Sequence, residues 1–181
     1  MTPFSLDEIM RGTRYHEAGH DVAAYHHGYL ITGVTVTDTE CVATYRSPYP
    51  SPEFGGWGEL WREACITMAG LLADQRAMWG EMRPEPCANF LADAKEAVES
   101  EAELHVDDLP PDDHSTLLRL LRQMGDGSMG DDPAKYYRLV VESSGQLVSD
   151  HWTEIDAVAR ALEQNAMLDG PEVVRIIERT V

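Results

Sequence analysis

The chain has 181 residues, of which 43% are hydrophobic and 25% charged, a globular composition with the length for one sizeable core. Its net charge of −18 repels phosphate backbones, which argues against nucleic acid as a partner. No apolar run reaches the ~20 residues of a membrane span, residues 1–12 lack the apolar stretch of a leader, and Cys41, Cys65 and Cys87 form no CxxC pair, so a cytoplasmic protein with reduced thiols is expected.

The first element is marked by Ser5 and Glu8, a capping box, with Phe4 and Ile9 placed to form a hydrophobic staple. Helical spacing runs from there towards His27 and stops at Gly28, with Gly12 as a point of fraying or division. Over 31–46 the period falls to two. Val34 and Val36 alternate with Thr35 and Thr37, a second strand follows from Cys41, and Asp38, Thr39 and Glu40 make the turn of a hairpin. Segment 47–56 carries three prolines and two glycines and reads as a loop.

A second helix is expected over 58–78, where Leu60, Trp61, Ala64, Cys65, Met68 and Leu72 keep helical spacing and Gly80 lies just beyond. Residues 81–113 hold eleven acids against Arg83 and Lys95, half of the whole net charge. They read as a loop, a solvated helix over 88–104 and a break at Pro110 and Pro111. Leu117, Leu118, Leu120, Leu121 and Met124 mark a short helix that stops at Gly125. After a glycine-rich loop over 125–132, Asp132 as cap and Pro133 at the first helical position open a long helix towards Met167. A last short helix starts near Pro171. The expected fold is therefore mainly α (α+β), with one small hairpin or sheet beside the first helix. It is a single domain over 1–181 with an acidic insertion at about 81–111. Trp57, Trp61, Tyr136, Tyr137 and Trp152 read as core aromatics. Tyr45 and Tyr49 read first as covering the core, with a substrate groove as the alternative.

The chemistry lies in His16, Glu17, Ala18, Gly19 and His20. Residues four apart on a helix lie ~40° apart around the axis and ~6 Å along it, so both imidazoles reach one ion. Glu17 is rotated ~100° from His16, beside the ion, where it can take a proton from an activated water. This is the His-Glu-x-x-His pattern of zinc hydrolases. Gly19 inside a helix costs ~1 kcal/mol relative to alanine, so a packing reason is expected, such as a neighbouring strand lying close. His27 lies ~10 Å further along the axis than His20 and cannot share that ion. His26 and His27 read as helix-end residues, and His151 as a surface or core histidine on the long helix.

Tyr15-His16-Glu17-Ala18-Gly19-His20 resembles the opening motif of the peptidase domain of the FtsH-type ATP-dependent zinc proteases. The resemblance continues in order. Gly33-Val34-Thr35-Val36 is similar to the family's strand after the motif, and Ala69-Gly70-Leu71-Leu72-Ala73-Asp74 loosely to its Gly-Gly-Arg-Ala-Ala-Glu helix. Asp112-Asp113-His114 falls at its Asn-Asp-Leu motif, although the Ala-Thr that follows there is not kept. The stretches 157–162 and 168–172 resemble its closing helix and turn.

The resemblance implies Zn2+ as cofactor, an unfolded or extended polypeptide as substrate, and Asp113 as third metal ligand with His16 and His20. Asp112, Asp74, His114 and His105 are the rival ligands. Of these, Asp74 reads rather as an acceptor that orients a ligand histidine, or simply as a solvated acid. No Gly-x-x-x-x-Gly-Lys-Ser/Thr loop and no membrane anchor occur, so a stand-alone peptidase-like domain is expected, with any ATPase a separate partner. The family's hexameric rings leave a homo-oligomer open. The expected activity is metal-dependent hydrolysis of peptide bonds with Glu17 as general base, the peptide adding along strand 34–37 if its edge is free. The alternative is a metal-binding regulatory or interaction module with weak or no catalysis. A hydrolase acting on a non-peptide amide is a third reading.

Overall fold

A computed structural model describes residues 4–48, 52–82, 112–126 and 133–180. The acidic stretch over 83–111, with Cys87 and His105, the loop at 127–132 and Tyr49 lie outside them. The described residues form six helices and a three-stranded antiparallel sheet, so the fold is mainly α (α+β). In chain order they are α1 (Leu6–His26), β1 (Leu30–Val36), β2 (Cys41–Arg46), α2 (Pro52–Trp79), α3 (Asp113–Asp126), α4 (Pro133–Asp150), α5 (Trp152–Gln164), β3 (Met167–Asp169) and α6 (Gly170–Thr180). No helix among the described residues is long and apolar enough to cross a membrane.

Both ends of α1 follow from local chemistry. The Ser5 side chain accepts the Glu8 amide and the Glu8 carboxylate accepts the Ser5 amide, which satisfies two orphan N–H groups. At the other end Gly28 adopts φ 81°, a left-handed conformation that glycine reaches without a Cβ penalty. Between them Gly12 continues the helix rather than dividing it. A Cβ there would fall on the Asp74 carboxylate and crowd Met78, so the glycine lets α2 approach.

The motif half of α1 is buried from Glu17 to Ala24, packed most extensively on α2, then on α5 and the sheet. Residues 64–70 of α2 are buried on every side, which makes that helix the centre of the core. Gly19 explains the contact. A Cβ on it would lie 2.8 Å from the Ala69 carbonyl oxygen and 2.8 Å from the Ala73 Cβ. The close neighbour is a helix, not the strand that the sequence suggested. Val22, Ile66, Leu72, Leu117, Val158 and Ile177 are fully buried around this contact, each contributing ~1.5–3 kcal/mol of burial.

The sheet order is β2-β1-β3, with Val34 opposite Ala43 on one side and Leu168 on the other. β1 is therefore central and both its edges are paired. Among the described residues the free edge beside α1 belongs to β2, and strand 34–37 is paired on both sides, so it is not the place where a peptide can add. Three further expectations are corrected. Helix α2 begins at Pro52, inside the stretch read as a loop, and bends where Gly56 leaves helical geometry (φ 50°, ψ −148°). The long helix towards Met167 is two helices, α4 and α5, parted at His151, and β3 follows them. Trp57 is 48% exposed, stacked on Trp61 with centroids 5.5 Å apart, whereas Tyr136 and Tyr137 are core residues.

Candidate metal centre

His16 and His20 project from one face of α1, their rings edge-on with centroids 4.6 Å apart. Asp113 opens α3, which Leu117, Leu121 and Met124 anchor in the core. Its Oδ2 lies 2.6 Å from His16 Nε2 and 3.1 Å from His20 Nε2, and the two Nε2 atoms are 3.1 Å apart. Of the candidate third ligands among the described residues, Asp113 is the one that joins the histidines, and His105 lies outside those residues.

The others have different work or lie elsewhere. Asp112 caps α3: its Oδ1 accepts the Ser115 amide at 2.7 Å. Asp74 lies against Gly12 and its carboxyl is raised by burial, an effect that the His16 charge opposes. It makes no hydrogen bond to His16, so it is not the orienting acceptor expected of it. His114 is exposed and outside the cluster.

The orienting acceptor is a backbone carbonyl. His20 Nδ1 donates to Ile66 O at 2.9 Å, which fixes the ring and turns Nε2 towards Asp113. Gly70 lets the ring sit there, since a Cβ at position 70 would fall on the imidazole. The centre thus gathers two imidazole nitrogens and a carboxylate oxygen, the donor set of a catalytic zinc with room for a fourth ligand.

Such a crowd of acceptors needs a positive charge at its middle. Burial works against the Asp113 charge, yet bonds to His16 and His20 hold its carboxyl well below the usual range. Burial also disfavours a charged His20, but Asp113 outweighs it and raises the imidazole to about 9. A divalent cation would answer that demand.

Glu17 is only 6% exposed. Burial raises its carboxyl, while His20, His16 and the Ala43 amide favour the charged form. It borders a cavity of about 340 Å³ that His16, His20 and Asp113 share with Cys41, Val42, Ala43 and Tyr45 of β2. Burial pushes the Tyr45 phenol up, so it keeps its proton. It also packs against the core and meets the Tyr29 ring edge-on with centroids 5.6 Å apart, so it covers the core as expected while bordering the cavity. Alternation in β2 carried that signal, because Cys41, Ala43 and Tyr45 share one strand face.

Two features were not anticipated. Asp21 is fully buried, and neither of its carboxylate oxygens has a hydrogen-bond partner among the described residues. His26 closes α1, the helix-end place expected for it, and stacks on His151 beside Glu154, a meeting that the sequence did not suggest. No protein-family model matches the chain, and no curated protein matches its sequence.

Proposed function

We propose that the protein is a zinc-dependent peptidase of the FtsH peptidase type, acting on extended polypeptide. The observation that carries this reading is the convergence of His16 Nε2, His20 Nε2 and Asp113 Oδ2 within 3.1 Å of one another, with the buried Glu17 at the same cavity. The pairing of Asp113 with the histidines also agrees with the family position to which the resemblance assigned it.

His16, His20 and Asp113 would hold the ion. Bound there, Zn2+ supplies a Lewis acid that acidifies water and polarises a carbonyl. The remaining steps belong to the chain. Glu17, kept between carboxyl and carboxylate by burial on one side and the histidines on the other, takes the proton of the attacking water. It returns that proton to the leaving amine. The Ile66 carbonyl keeps His20 in the tautomer that presents Nε2. β2, the sheet edge along the cavity, offers its outer backbone groups to an extended peptide, and the pairing selects backbone before side chain.

The test is cleavage of an unfolded protein such as casein by the purified chain, before and after chelation. Hydrolysis that stops on chelation and returns with one equivalent of zinc supports the reading. Zinc binding without hydrolysis supports the regulatory module instead.

A further inference from the structure

His26 ends α1, His151 sits in the break between α4 and α5, and Glu154 lies in the first turn of α5. The fold brings them together across 128 residues of chain. The two imidazoles stack with centroids 3.6 Å apart and planes inclined by 26°. The Glu154 side chain, 7% exposed, meets both: Oε2 lies 2.6 Å from His26 Nε2 and Oε1 lies 2.9 Å from His151 Nδ1. A carboxylate only accepts, so each of those nitrogens carries a proton that a cation can replace.

We propose that His26, His151 and Glu154 form a second site, for a divalent transition-metal ion of the zinc class, which clips the end of α1 to the start of α5. Two imidazoles and a carboxylate suit zinc, cobalt or nickel rather than the hard oxygen-seeking cations. The donor atoms all lie within 4.8 Å of one another. His151 and Glu154, three residues apart at a helix start, are neighbours that can chelate together, and His26 completes the set from a different helix. The C-terminal end of α1 adds the negative end of its dipole, which favours a cation at His26. A buried carboxylate is costly without a matching charge, and the ion supplies one. His26 and His151 remain 25% and 29% exposed, which leaves a route of entry and open positions for water.

The position gives the clip a task. α5 also grips α1 near the motif, where Tyr15 donates to Asp156 Oδ1 at 2.5 Å and stacks on Trp152 with centroids 5.3 Å apart. A metal at His26 would fasten a second point, further along α1, to the same first turns of α5. Binding that exists only in the folded chain raises its stability by mass action.

The site is tested by counting zinc per chain after dialysis, in the unsubstituted protein and in the His16→Gln, His26→Gln, His151→Gln and His16→Gln/His26→Gln variants. Far-UV circular dichroism confirms that each is folded, and His27→Gln serves as the control for adventitious binding. The expected counts are two, one, one, one and none, with two in the control. In the His16→Gln background, zinc should raise the melting temperature, and adding His26→Gln should abolish that rise. His26→Gln removes one equivalent whether or not His16→Gln removes another, so the two sites are judged separately. A count unchanged by both His26→Gln and His151→Gln overturns the second site.

Discussion

The imidazole of His20 occupies the space that a side chain at Gly70 would need. One glycine on α2 therefore decides whether a histidine on α1 can turn Nε2 towards Asp113. Gly70→Ala is expected to displace the ring, break its bond to Ile66 O and lower zinc affinity by ~10–100-fold, as loss of an orienting contact does. The extra methyl in a packed interior also costs ~1–3 kcal/mol. Chelator competition measures the affinity. Wild-type affinity in Gly70→Ala would show that the ring position does not matter.

Asp112 and Asp113 are adjacent and do different things. Asp113→Ala should empty the metal site, because it removes the one carboxylate in the cluster. Asp112→Ala should keep the metal and lose ~1 kcal/mol of stability, the usual worth of an N-cap. Asp74→Ala should also keep it. Metal analysis and thermal melting of the three variants separate these roles. An empty site in Asp112→Ala beside a loaded Asp113→Ala would reverse the assignment.

Asp21 carries two buried oxygens without hydrogen-bond partners among the described residues, and burial raises its carboxyl well above the ordinary range. An unpartnered buried acid destabilises the fold that contains it. Asp21→Leu replaces the unpartnered polar group with an apolar one, so it should stabilise by ~1 kcal/mol, a rise of ~2–4 °C in melting temperature for a chain of this size. A fall instead would mean that the carboxylate has a charged partner in the folded protein.

If substrate pairs with the edge of β2, its backbone amides matter more than its side chains. A cleavable peptide with N-methyl groups at alternate amides near the scissile bond should lose at least ~10-fold in kcat/KM, roughly the worth of one hydrogen bond. Equal turnover of the methylated and plain peptides would argue for recognition through side-chain pockets.

What could be read from the sequence was local. The Ser5–Glu8 box, the turn at Asp38–Glu40 and the two histidines four apart each depend on spacing within one element, and they stand where spacing put them. Asp113 stands 93 residues from His20, beyond any periodicity, and was assigned through family resemblance. β3 has three residues, too few for alternation to register. The break at His151 has no glycine or proline to announce it. The stack of His26 on His151 depends on how α5 folds back along α1, which no local pattern encodes. Gly19 signalled close packing, but the identity of the neighbour is a property of the assembled core.

The central claim is that Glu17 moves the proton in a metal-dependent cleavage of peptide bonds. Glu17→Gln is nearly isosteric and leaves His16, His20 and Asp113 in place. The decisive measurement is casein hydrolysis by this variant and by the unsubstituted protein, each with its zinc content determined on the same sample. The account predicts full zinc occupancy, an unchanged circular dichroism spectrum and a loss of ~10²–10⁴-fold in turnover. Turnover within a factor of two of the unsubstituted protein, at equal zinc content, would contradict it.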